Sequence, residues 1–127
     1  MVQTMEEAFH DLITTITDSV SYATNVSEIA SIVSYSDGSA DVQPLVDDSG
    51  GRDEVGVISG CPVLKSALLD FDSDGKGIKR DLKKGDTVLI VFNNRDLDNF
   101  SGNSSFTKSS ERMHDINDAV VVGVVET

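Results

Sequence analysis

From residue 4 to about residue 20 the apolar side chains recur three and four positions apart, as Phe9, Leu12, Ile13, Ile16 and Val20. That spacing places them on one face of an α-helix. Thr4 followed by Glu7 predicts where it starts, since a threonine oxygen and a glutamate three residues on satisfy the orphan amides of a first turn. The face made by Phe9, Leu12 and Ile16 has two ways to leave water: against the rest of the domain, or against copies of itself in an oligomer. The run is too short to choose between them.

After a polar joint at residues 21–27 the period drops from 3.6 to 2. Two alternating runs, 29–35 and 40–46, flank Ser36-Asp37-Gly38-Ser39, and Asp-Gly tolerates the positive backbone angles of a tight hairpin. Pro44 has no amide hydrogen to give a ladder, which puts that end of the second strand at an edge or bulge. Residues 47–53, rich in Gly and Asp, predict a loop. Further strands are expected over 55–64, 76–82 and 87–92, the last two joined by Lys83-Lys84-Gly85-Asp86, and the valine-rich 119–125 suits a buried final strand.

Five or six short strands with tight turns and one helix predict a mainly β chain: a single small antiparallel barrel of the OB type, closed or nearly closed, with an N-terminal α-helix. Residues 1–27 form the helix and joint, and 28–127 the barrel. Within the barrel, residues 93–118 show little periodicity. Loops of that length usually serve function or are ordered by a partner. Its start, 93–100, mixes charges with two apolar residues and is expected to fold back as a turn. Its middle, 101–110, has the composition of a mobile segment.

The 127 residues fit one core. With 39% hydrophobic and 25% charged residues the usage is that of an ordinary folded domain. Charge changes the picture more. Twenty-two acidic against ten basic side chains give a net charge of -12, which repels phosphate backbones and anionic lipid heads unless the cations gather. Lys76, Lys79, Arg80, Lys83 and Lys84 do cluster, but Asp81 interrupts them and no aromatic residue is interleaved, so nucleic-acid binding is disfavoured. The acidic N-terminus does not fit a signal peptide, and no apolar run approaches a membrane span, so stable membrane insertion is not expected. The lone Cys61 sits in a strand-like apolar context and reads as a buried inert thiol.

Candidate chemistry is sparse. Asp70, Asp72 and Asp74 with Gly75, and Asp81 at the twelfth position, follow the spacing of a calcium loop. Against calcium, the twelfth ligand is Asp instead of the longer Glu, Gly77 replaces a packing apolar residue, and flanking helices are missing from the pattern. The competing reading is an acidic hairpin tip. His114-Asp115 lacks a nucleophile-bearing motif beside it, and more often such a pair anchors a loop end. Gly75-Lys76-Gly77 lacks the other positions of either phosphate-binding motif. No catalytic constellation is present, and no cofactor is expected beyond the calcium alternative.

Several blocks, taken in order, resemble the N-terminal OB-domain family of tailed-phage baseplate central spike proteins. They are Ile32-Val33-Ser34-Tyr35, Ala40-Asp41-Val42-Gln43-Pro44-Leu45, Cys61-Pro62-Val63-Leu64, Gly77-Ile78, the run from Leu82 to Phe92, Arg95-Asp96-Leu97-Asp98-Asn99, and Arg112-Met113-His114-Asp115-Ile116-Asn117-Asp118-Ala119. The resemblance implies a homotrimeric, non-enzymatic barrel in the virion, made in the host cytoplasm. It would sit in the baseplate of a contractile tail, at the tip of the tail tube, among hub and tube proteins, and transmit force during envelope penetration.

Family members commonly continue into a β-helical needle whose histidines hold iron. This chain ends at Thr127, which predicts a plug or adaptor without its own needle, a separate spike tip protein supplying the point, and no such metal role for His114. Arg95, Asp96, Asp98 and Asn99 are expected to order the long loop by ion pairs and hydrogen bonds, either across subunits or within one. Two other readings compete: an OB-fold module binding nucleic acid or another ligand, and a calcium-stabilised adaptor.

Overall fold

The computed structural model describes residues 4–46 and 56–126. The expected loop at 47–53 and the first residue of the strand expected from Val55 lie outside the described residues.

The helix α1 spans Met5–Ala23, and the Thr4 Oγ1 accepts the Glu7 amide at 3.1 Å, as the sequence predicts for its start. Its far end closes with the Thr24 amide donating to the Ser21 carbonyl at 3.3 Å. The apolar face does not pack on the domain: Phe9, Leu12 and Ile16 remain 64%, 54% and 50% exposed. Of the two fates the sequence allows that face, burial within this chain is overturned.

Strands β1 (Ser27–Ser36) and β2 (Ser39–Pro44) form the expected hairpin. Asp37 and Gly38 both hold positive φ, 48° and 82°, the pair of left-handed angles that matches the twist of the strands either side. β3 (Ile58–Pro62) continues the meander on β2. Its ladder with β2 ends at Val42–Ile58, so Pro44 lies where β2 is locally an edge and needs no donor on that side.

β6 (Thr87–Phe92) runs antiparallel to β1, and β7 (Ala119–Val124) antiparallel to β6. The order β3-β2-β1-β6-β7 is one strongly curled antiparallel sheet, a half-barrel. Its two outer strands approach each other at a parallel bridge, Val63 to Val121, where the Leu64 amide donates to the Val121 carbonyl at 3.0 Å. The mainly β class, the curled antiparallel sheet and the N-terminal helix are all as the sequence predicts.

Alternation fills the concave side. Ala30 and Ile32 of β1, Ala40 and Val42 of β2, Val88, Ile90 and Phe92 of β6, and Ala119 and Val121 of β7 are buried together with Ile58 and Cys61. Register is pinned by this pattern, because a slip of one residue would turn every one of those side chains to water.

Two expectations need correction. The strand expected over 76–82 is only β5 (Gly77–Lys79), and it pairs with a short strand β4 (Leu69–Phe71) that the pattern does not announce. These two make a separate small sheet. The cause is a competing partner for the chain that follows. The Ile32 amide donates to the Asp86 carbonyl at 2.8 Å and the Gly85 amide donates to the Ile32 carbonyl at 2.9 Å. Residues 83–86 therefore dock on β1, and Leu82 turns inward to join the core.

Candidate functional site

The loop between β6 and β7 is held largely by polar centres, with Ile116 packed on the core at its far end. Asp96, a short turn beyond the end of β6, is 0% exposed. Its carboxylate accepts the Ser109 amide at 2.9 and 3.0 Å, the Ser110 amide at 2.8 Å and the Ser110 hydroxyl at 3.2 Å. These donors, the Ser109 amide foremost, hold the Asp96 carboxyl below the usual carboxylate range.

Asp118 forms the second centre, at the entry to β7. It is 1% exposed, and its carboxylate takes both Arg112 Nε and Nη2 at 2.8 Å and the Leu97 amide at 3.0 Å. A planar guanidinium matches a carboxylate edge in this two-point fashion. The Asp118 carbonyl also accepts the Asn93 amide at 2.8 Å, closing the loop's neck.

Arg112 turns its other side to Asp98 at 2.7 Å, so one cation serves two carboxylates. That contact, with the Ser109 hydroxyl, lowers the Asp98 carboxyl, and the two aspartates push Arg112 further up. Asn99 donates to the Thr107 carbonyl at 2.7 Å, and Phe100 meets Phe106 edge to face at 5.8 Å. The fourth centre is His114, whose φ is 47° and whose carbonyl accepts from Asn25 Nδ2 at 3.0 Å. The later part of the segment expected to be mobile, 101–110, is thus tied down, Thr107 by Asn99 and Ser109 and Ser110 by Asp96.

Among the residues the sequence singles out, Asp96, Asp98 and Asn99 come together in this network with partners in the same chain. Arg95 does not join it: its side chain is exposed and donates to the Asn94 carbonyl at 3.4 Å. Phe9, Leu12 and Ile16 lie apart on α1. Sequence reasoning misses Arg112, Asp118, Ser109 and Ser110. The available signal was position, since Asp118 abuts the last buried strand, where a buried carboxylate calls for an arginine.

At the acidic turn, the Asp72 carboxylate accepts the Asp74 and Lys76 amides, both at 2.9 Å, and the Asp72 amide donates to the Lys76 carbonyl at 2.9 Å. Gly75 completes the turn with φ of 80°. Asp70 faces Arg80 at 3.8 Å, and Arg80 also reaches Asp86 at 3.3 Å. Asp70, Asp72, Asp74 and Asp81 are thus distributed over a hairpin and its flanks. Among the described residues no three His, Cys, Asp or Glu side chains gather as a metal would require.

A groove runs beside the seam of the half-barrel, with Tyr35, Val63, Leu68, Leu69 and Ile78 on its apolar side and Asp37, Lys65, Lys79 and Asp81 at its charged edges. With the exposed Phe71 and Leu64 that apolar side is, like α1, surface left open by this chain.

Cys61 lies beneath the sheet, its Sγ 3.7 Å from the Ile58 carbonyl. Burial, then the charge of Asp41, pushes its thiol from 9.0 up to about 11. At pH 8 the thiolate fraction should be about a hundredfold below that of an unfolded thiol. Alkylation of the native protein is expected to be at least that much slower than in concentrated denaturant; equal rates would show the thiol is not shielded.

A model of the family described as phage protein Gp138 N-terminal domain matches residues 29–123. The match runs from β1 into β7 and leaves α1 outside it. No curated protein matches the chain.

Proposed function

The chain belongs to the phage protein Gp138 N-terminal domain family, and on that premise we propose that it is a structural, non-enzymatic part of the virion. It acts in the baseplate of a contractile tail as a trimeric OB-type spike, plug or adaptor at the tip of the tail tube. Its neighbours there are further copies of itself, hub and tube proteins, and a separate tip protein. Its task is mechanical: to block the tube end and carry axial force during envelope penetration.

One observation carries this reading beyond the family match. The charged groups at the heart of the loop, Asp96, Asp98, Arg112 and Asp118, are spent on partners within it, while apolar groups on α1 and beside the seam face outward. A catalytic or ligand site shows the reverse, with polar groups left free to act inside a shaped pocket. Large exposed apolar surfaces mark contacts with other proteins. The strand order with its parallel β3–β7 approach supports the OB-type description, and the net charge of -12 argues against single-stranded nucleic acid as the ligand.

The test is the mass of the purified chain in solution, followed by imaging of intact particles with the tail axis resolved. The expected result is three times the 13.6 kDa chain mass and threefold density on the axis at the tube tip. A monomer in solution that is also missing from particles would overturn the reading. Low-salt binding to a labelled oligonucleotide would favour a binding module instead.

A further inference from the structure

We propose that α1 is a self-association element: copies of it pack in parallel along one apolar stripe, forming a helical bundle beside the barrels. The inference rests on the trimeric reading above for the number of copies and their common direction. Its own ground is α1, which lies outside the family match.

The helix cannot be accounted for alone. Its sequence carries Ile13, Thr14, Thr15, Ile16, Thr17 and Val20, β-branched residues that lose side-chain freedom in a helix. Helices gain most of their stability from packing an amphipathic face. Here every helix residue whose side chain is described is exposed, so no such packing is found among the described residues.

The layout of charge selects the occupant. At 3.6 residues per turn, Met5, Phe9, Leu12, Ile13, Ile16 and Val20 fall within an arc of roughly 100°, the width of a face that packs on other helices. Glu7, Asp11 and Asp18 fall on the opposite side. The helix has no lysine or arginine at all, whereas helices that lie on anionic lipid carry basic polar faces.

The stripe's two borders differ. One carries Glu6 and His10, the other Ala8, Thr15 and Ser19. In a parallel cyclic bundle one border of each helix meets the other border of its neighbour, so Glu6 faces a neutral edge and like charges do not oppose each other. Phe9, Leu12 and Ile16, spaced three and four apart, repeat at the seam as coiled-coil positions do. A helix of 19 residues offers a seam of about 28 Å.

The test uses the full chain, a Leu12→Asp/Ile16→Asp variant, and a Phe9→Cys variant under mild oxidation. α1 does not pack on the sheet, so these changes leave the barrel intact, and continued shielding of Cys61 from alkylation checks this. The double variant is expected to raise the dissociation constant of the assembly at least about a hundredfold. Phe9→Cys is expected to form a disulfide between copies, which antiparallel helices would not allow, while the wild-type chain does not.

If the wild-type chain is trimeric, the double variant keeps its mass and Phe9→Cys does not link, the helix seam is wrong and the trimeric reading stands. A wild-type chain that is monomeric at high concentration overturns the seam, and axial imaging of particles then decides the trimeric reading separately.

Discussion

Asp118→Ala is expected to destabilise the protein by about 2–4 kcal/mol, read from urea unfolding followed by circular dichroism. The substitution removes three contacts at once from a carboxylate that is 1% exposed: two from Arg112 and one from the Leu97 amide. The Leu97 amide then lacks its acceptor in a half-buried place. Arg112 retains Asp98 and is 28% exposed on its side chain, which keeps the cost below that of stranding a charge in a dry interior.

Asp118→Asn preserves the shape and one acceptor oxygen but turns an amide donor toward the guanidinium, so most of the loss should remain. The loop should also open, and trypsin cleavage after Lys108 and Arg112 should accelerate in both variants. Unchanged unfolding midpoints in the two would show that the neck of the loop is not held by this pair.

The elements that determine the fold were largely legible in the pattern of the chain. The 3.6-residue period of Phe9, Leu12 and Ile16 and the shift to a period of 2 around Asp37-Gly38 reflect local sterics and one-sided burial, both written into the order of side chains. β4 was not legible, because three residues are too few to show a period and its ladder depends on where residues 83–86 dock. The partner of the α1 face was not legible either: amphipathicity says that a face is buried, and not by what.

The loop network was hidden for a different reason. With 22 acidic residues in the chain, a carboxylate in a polar stretch looks the same whether it is solvated or wholly enclosed. Asp96 and Asp118 are distinguished only by donors 6 to 21 residues away in sequence, Arg112, Ser109, Ser110 and Leu97. Arg95, the cation adjacent to Asp96 in sequence, lies outside this buried network, and the ion pair within the chain falls to Arg112.

The enclosure of Asp96 makes the loop acid-sensitive in a defined direction. Its carboxyl is lowered from the ordinary 3.8, so the folded form binds the proton more weakly than the unfolded form does. The stability it confers is therefore fully present above the unfolded value. It is lost as pH falls through the folded value, which lies lower. Exchange protection of the Ser109 and Ser110 amides should accordingly persist to about pH 4 and collapse below it.

In Asp96→Asn the two amides should exchange at least about tenfold faster already at neutral pH, since a neutral amide oxygen replaces two anionic ones facing three donors. The acid dependence at these positions should flatten with it. Protection that falls equally with acid in both proteins would assign the effect to Asp98 and Arg112 instead. Those two form the next contact outward, and the loop would then open from its rim before its buried end. If Asp96 governs, opening starts at its contacts with Ser109 and Ser110, and the rim ion pair separates only afterwards.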